Sequence, residues 1–140
     1  MPDIKTPAAN ATMSVASTAL RAQQARMRII AENLANANSI SRTPGGEPYR
    51  RQIPVFAPVK IDGAEGVQMA KVEADQSDFK VDYEPGHPSA DAQGYVKLPN
   101  VDPLVEALDM REAQRAYEAN LNVIETTRAM QMRTLDLLKK

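Results

Sequence analysis

The chain has 140 residues, of which 43% are hydrophobic and only 4% aromatic, and its formal net charge is −1. This length fits one domain, or a small domain with extended arms, and so few aromatic side chains argue against one large globular core. A net charge near zero disfavours an electrostatic nucleic-acid binder, and the absence of cysteine excludes disulfides and thiolate sites. No apolar run reaches the ~18 residues of a membrane span, and the opening residues lack the order of a Sec signal peptide.

The glycines and prolines divide the chain into parts. All six glycines lie between Gly45 and Gly94, and eight of the ten prolines lie between Pro44 and Pro103. Because these residues interrupt regular structure, the sequence predicts two long helices separated by an insert. The predicted units are an N-terminal extension over residues 1–12, a helix with its linker over 13–43, a small β-rich or irregular insert over 44–102, and a second helix over 103–140.

The first predicted helix covers residues 13–38, about 39 Å at 1.5 Å per residue. Its apolar residues are spaced alternately three and four apart, which is the a/d pattern of a coiled coil, interrupted only by Gln23. Alanines fill many other positions and favour the helix. The seam consists of Met13, Ala16, Leu20, Gln23, Met27, Ile30, Leu34 and Ala37.

The insert alternates short apolar groups with turn residues. Residues 52–56, 67–72 and 79–83 are predicted as short strands, and residues 84–88 as a turn. Prolines within or beside these runs are typical of edge strands. We therefore expect a β-hairpin or a three-stranded element.

The second predicted helix covers residues 103–138, with Asp102 as its N-cap and Pro103 at its first position. Two such amphipathic arms need each other, or further copies, because either alone leaves its apolar seam in water. The predicted fold is mainly α, with a coiled-coil-like pair of terminal helices around the insert. The second seam consists of Ala107, Met110, Gln114, Tyr117, Leu121, Ile124, Arg128, Gln131, Leu135 and Leu138, with Val123, Met130 and Leu137 as a neighbouring stripe.

The sequence offers few parts for catalysis or for ligand binding. His87 is the only histidine, and its position between Gly86 and Pro88 favours a turn over a catalytic site. Three aspartates between residues 75 and 82 lack the glycine and terminal glutamate of a calcium loop. We expect no catalytic residue, no metal and no cofactor.

Several segments resemble the bacterial flagellar rod and hook proteins, also called axial proteins. Residues 19–23 and 26–39 closely resemble the N-terminal signature of that family, although Ser39 stands where the family usually has threonine. The similarity to rod members continues over most of the chain, in residues 42–51, 82–88, 94–103 and 117–120.

The resemblance implies a structural, non-catalytic subunit of the proximal rod, which transmits torque and surrounds the export channel. It implies a place in the periplasmic part of the basal body, reached through the flagellar type III apparatus without a Sec signal. The implied partners are other copies of the chain, the rod proteins FlgB and FlgF, and the adaptor FliE. No nucleic acid, small-molecule substrate or membrane insertion is expected.

The residues predicted at contacts between subunits come from the two seams and, through the resemblance, from asparagines near the helix ends. A generic coiled-coil adaptor or secreted effector is the alternative that the same helices leave open, and an enzyme built around His87 is a weaker one. The predicted contact residues are Met13, Leu20, Met27, Ile30, Asn33, Leu34, Asn36, Asn38, Tyr117, Asn120, Leu121, Ile124, Leu135 and Leu138.

Overall fold

The structure, a computed structural model, describes residues 7–139; residues 1–6 and Lys140 lie outside the described part. Two long terminal helices enclose a small β insert, which confirms the predicted fold class. Within residues 7–139 neither helix has an apolar stretch long enough to span a bilayer. The elements are α1 (Pro7–Ala35), β1 (Gln52–Ile61), β2 (Ala64–Ala74), β3 (Lys80–Tyr83), β4 (Tyr95–Leu98) and α2 (Pro103–Leu138).

Helix α1 begins at Pro7, six residues before the predicted start, so it includes half of the predicted N-terminal extension. Proline suits the first helical position, and the alanines that follow it favour the helix. The rest of that extension, residues 1–6, lies outside the described residues. The helix ends at Ala35, three residues before the predicted end, and the Glu32 carbonyl of its last turn accepts from both the N–H (3.1 Å) and the side chain (2.9 Å) of Asn36.

Helix α2 has the predicted bounds, and the Asp102 carboxylate accepts a hydrogen bond from the Leu104 N–H (3.0 Å) as the expected N-cap. The two helices are antiparallel. Arg26 in α1 pairs with Glu112 near the start of α2 (3.5 Å), whereas Val15, earlier in α1, lines the same depression as Val123, later in α2. Four of the ten predicted seam residues of α2 are among its inward residues, Leu121 is half-buried beside them, and the other five are exposed. The inward residues are Glu106, Met110, Ala113, Tyr117, Asn120, Ile124, Thr127 and Gln131, whereas Ala107, Gln114 and Arg128 are exposed.

Strands β1 and β2 form one long antiparallel hairpin joined by Asp62 and Gly63. Both residues have positive φ angles, 49° and 77°, as the tight type I′ turn requires. Strand β3 pairs with β4 in a separate sheet, with Tyr83 opposite Tyr95. The insert therefore contains two two-stranded sheets, and β4 was not among the predicted strands.

Helix α1 contacts both α2 and the long hairpin, so it buries two faces. The face toward the hairpin includes Thr18, which is buried and whose Oγ1 accepts a hydrogen bond from the Val67 N–H (3.2 Å). A Cβ on the neighbouring Gly66 would lie 2.5 Å from that oxygen. The absence of a side chain at Gly66 therefore lets β2 approach α1 closely.

Gly66→Ala should lower the free energy of unfolding by about 1–3 kcal/mol, because the new methyl group overlaps Thr18 and forces the hairpin away from α1. Urea denaturation of the purified chain measures the change. Gly86→Ala is the matched control, since a Cβ there meets nothing within 4 Å and φ is not in the left-handed region. Equal losses in the two variants would show that the close approach is unimportant.

Candidate assembly surfaces

The predicted contact residues of α1 are distributed between the interior of the chain and its surface. Ile30 is buried, while Met13, Leu20, Met27 and Leu34 are half-buried. These five side chains follow the coiled-coil spacing, and the half-buried ones retain apolar surface beyond what the single chain covers.

The predicted contact residues of α2 differ in solvent exposure along the length of the helix. Tyr117, Asn120, Leu121 and Ile124 are half-buried in the middle of the helix, whereas Leu135 and Leu138 in the last turns are exposed. Further large apolar side chains are exposed at both ends of α2, where single-chain packing does not cover them. They are Leu104, Val105 and Leu108 at the start and Val123, Met130, Met132 and Leu137 toward the end.

Asn33 makes its hydrogen bonds inside the chain. It is 1% exposed, and its Oδ1 accepts from the Tyr49 hydroxyl (2.8 Å) and from the Gln52 N–H (2.9 Å). Its Nδ2 donates to the Gln52 carbonyl (2.9 Å). Burial raises the pKa of Tyr49, and the nearby Glu32 and Glu106 raise it further, so the phenol remains a donor. Asn33 thus connects the end of α1 to the start of β1.

Asn36 and Asn38 differ from Asn33 in their surroundings. Asn36 is half-buried, and its Oδ1 accepts from the Ser39 hydroxyl (3.0 Å) in addition to its bond to Glu32. Asn38 is exposed. Of the three predicted asparagines, Asn38 is the one placed to reach another molecule without giving up a contact inside the helix end.

Asn33→Ala should lower the free energy of unfolding by about 2–4 kcal/mol, because it leaves the Tyr49 hydroxyl and both backbone groups of Gln52 without their partner. Thermal or urea denaturation of the purified chain gives the value. Asn38→Ala is the control and should change it by less than about 0.5 kcal/mol. A neutral Asn33→Ala would mean that water replaces these bonds.

Arg51 joins three parts of the chain at the start of α2. Its Nε donates to Glu106 Oε1, its Nη1 lies 3.2 Å from Asp75 Oδ2, and its Nη2 lies 3.8 Å from Asp109 Oδ2. The Arg51 N–H also donates to Asn100 Oδ1 (2.7 Å). Because Glu106 is 1% exposed, this arginine neutralises a carboxylate that the single chain removes from water.

The contacts around Arg51 stabilise the ionised form of the neighbouring Asp75. The Ser77 N–H donates to Asp75 (2.9 Å) and, together with Arg51, holds the pKa of Asp75 below its usual value although burial opposes this. The sequence analysis did not predict this cluster. No local signal could have found it, since 55 residues separate Arg51 from Glu106.

The residues of the enzyme alternative make turn contacts. His87 Nδ1 accepts a hydrogen bond from the Ser89 N–H (3.0 Å), and the Ser89 hydroxyl donates to the Ser41 carbonyl. Asp91 accepts from the Gln93 and Tyr95 N–H groups (2.9 Å each). Among residues 7–139, no three ligating side chains are grouped to hold a metal ion.

Comparison with known proteins gives matches at both helices. Residues 13–39 match the family model described as flagella basal body rod protein, and residues 92–137 match the model of the C-terminal region of the flagellar basal body rod FlgEFG proteins. The first match covers most of α1 and its end. The second covers β4 and nearly all of α2.

Proteins that match nearly the whole chain are also flagellar basal-body rod proteins. The chain is 46% identical over 132 residues to the flagellar basal-body rod protein FlgC of Agrobacterium fabrum, which covers 93% of this chain and 95% of that protein. It is 45% identical over 127 residues to FlgC of Salmonella typhimurium (88% and 92% covered). It is 41% identical over 148 residues to FlgC of Borreliella burgdorferi (91% and 96%).

The chain belongs to the FlgC family of flagellar basal-body rod proteins.

Membership of the FlgC family confirms the resemblance seen in the sequence and makes the chain a structural subunit of the basal-body rod. The segments of this chain that the two family models match include most of α1 and nearly all of α2, the two helices that pack together. The Arg51 and Asn33 contacts then connect that pair to the insert.

Proposed function

We propose that this rod subunit assembles in the proximal rod through α1 and α2, and that its role is structural and not catalytic. The observation that carries the proposal is the apolar surface of α2 that the described chain leaves exposed, in a segment matched by a rod-protein family model. Contiguous exposed apolar surface on a helix marks a contact with another molecule. The rod then transmits torque and encloses the export channel through these helical contacts.

The proposed contacts between subunits use the seam residues of both helices. Asn33 contributes from within the chain, by fixing the end of α1 against Gln52 and Tyr49. The other proposed contact residues retain exposed or half-exposed surface, apart from the buried Ile30. They are Met13, Leu20, Met27, Leu34, Asn36, Asn38, Tyr117, Asn120, Leu121, Ile124, Leu135 and Leu138.

The proposed neighbours are other copies of the chain, the rod proteins FlgB and FlgF, and the adaptor FliE. The proposed route to the periplasmic rod is the flagellar type III apparatus, through which a chain passes unfolded. The absence of cysteine suits this route, since no disulfide can form before assembly. The half-exposed seams suit it as well, because they become covered only when subunits meet.

Photo-crosslinking in cells tests the proposal. A photoreactive residue at Leu135, an exposed position in the last turns of α2, should capture rod proteins in purified basal bodies. The control position is Lys60, which is exposed on the hairpin, and it should capture fewer of them. A chain that is absent from basal bodies, or one captured only by non-flagellar proteins, would favour the adaptor alternative and overturn the proposal.

A further inference from the structure

The last turns of α2 extend past α1. Ala11 and Val15 of α1 line the same depression as Asn120 and Val123 of α2, and Arg26 pairs with Glu112. At this antiparallel register Pro7 lies level with about residue 130, so roughly eight residues, or about 12 Å, of α2 continue beyond it. Every residue from Met132 to Lys139 is exposed.

Exposed apolar side chains are concentrated at the two ends of α2. The end patch, which we define as Met130, Leu137 and Leu138, is 62%, 73% and 56% exposed. Leu138 continues the face of α2 that meets α1, whereas Met130 and Leu137 lie about 120–140° around the helix from that face, on the side away from α1.

The start patch is the corresponding group at the other end of α2. It consists of Leu104, Val105 and Leu108, which are 70%, 47% and 57% exposed, and it lies on the side away from α1. The two patches are therefore at opposite ends of the helix, and most of their residues lie on its side away from α1.

The two ends of α2 carry opposite charge. Residues 102–112 contain four acidic side chains and one basic, a net charge of −3, whereas residues 126–140 contain four basic and one acidic, a net charge of +3. In the folded chain Arg26 and Arg51 pair with the start of α2 and Asp75 joins them, so that end remains acidic by about two charges. The helix dipole favours the same placement within one chain, but it gives no reason for the exposed leucines.

We propose that the end patch of one copy packs on the start patch of a second copy, so that chains join head to tail. The inference rests on the proposed function and deepens it, since it names the surfaces and the partner. Apolar surface meets apolar surface, and the basic flank of the end patch meets the acidic flank of the start patch. Because the two patches differ, one copy can use both at once, and the contact propagates along a helical array instead of closing into a dimer.

Disulfide trapping tests the contact directly, because the natural chain has no cysteine. In one copy Leu104 and Leu137 lie about 50 Å apart along the helix, far beyond the ~7 Å that a disulfide can bridge. A chain with both Leu104→Cys and Leu137→Cys should therefore give ladders of linked copies after mild oxidation of basal bodies. Leu104→Cys combined with Glu118→Cys, an exposed position between the patches, is the matched control.

The outcomes separate the inference from the proposed function. Ladders specific to the Leu104 and Leu137 pair support the inference. Chains that are present in basal bodies but give no ladder, or that link only Leu137 to Leu137, overturn it and leave the proposed function standing. Natural chains missing from basal bodies would overturn both.

Substitutions that place a charge at position 137 provide a second test, which is made on the purified chain. Leu137→Asp should weaken self-association in sedimentation experiments by about tenfold or more, because it removes a buried leucine and places an acid against an acidic surface. Leu137→Arg should weaken it less. Equal effects of the two substitutions would contradict the pairing of opposite ends.

Discussion

Replacing Arg51 with leucine should lower the free energy of unfolding by about 3–5 kcal/mol, because it leaves the Glu106 carboxylate buried without its counter-ion. Glu106 is 1% exposed, and its second oxygen, Oε2, already has no hydrogen-bond partner in the described chain. Arg51 also contacts Asp75 and Asp109, so its loss leaves three carboxylates around an apolar side chain. Urea denaturation at neutral pH measures the effect.

Two further variants distinguish a buried charge from simple loss of packing. The double variant Arg51→Leu and Glu106→Leu should recover most of the lost stability, since an apolar pair of similar volume replaces a buried ion pair at little cost. Arg28→Leu, at an exposed position of α1 that has no ion pair within residues 7–139, should change stability by less than about 0.5 kcal/mol. If the double variant is as unstable as Arg51→Leu alone, the cost does not come from the unpaired carboxylate.

The sequence predicts well those features that depend on neighbouring residues. The bounds of α2 follow from Asp102, Pro103 and an uninterrupted helical pattern, and the structure confirms them. The start of α1 was predicted too late because the alanine-rich residues after Pro7 lie outside the heptad pattern, although they favour a helix. Helix propensity therefore extends α1 further than its seam does.

Features that join distant residues could not be predicted in this way. A glutamate in a helix normally marks the exposed side, so Glu106 gave no sign that it begins the inward face of α2. Its burial depends on Arg51, and Asn33 depends in the same way on Tyr49 and Gln52. In each case the side chain is polar in sequence and internal in the fold because its partner comes from another part of the chain.

The small sheets show the same limit. The strand at residues 79–83 was predicted from its alternating pattern, but the pattern does not specify its partner. It pairs with the short β4, whose four residues are too few to give a clear signal, and not with the long hairpin. The pairing places Tyr83 against Tyr95, with their ring centroids 5.2 Å apart, and such cross-strand contacts stabilise a short sheet.

Leu34→Asp and Leu121→Asp should each prevent assembly of the rod while leaving synthesis and export near normal. Both leucines are half-buried in one chain and lie on the proposed surfaces between subunits. Full burial of a leucine contributes roughly 1.5–3 kcal/mol, and a buried charge costs more than that. The defect recurs in every copy of a repeating assembly, whereas an unfolded chain in the export channel has no seam to disrupt.

Swimming motility, together with the amount of flagellar protein exported past the rod, measures the effect of the two aspartates. Arg26→Ala is the control, because it introduces no charge: it shortens a half-buried side chain and removes its pair with the exposed Glu112 (3.5 Å), which is worth about 0–1 kcal/mol. Circular dichroism of the purified variants shows whether each aspartate leaves the helices of the single chain intact. Cells that swim normally with either aspartate would show that these helix faces are not the assembly surface, since a charge buried at every subunit contact cannot be silent.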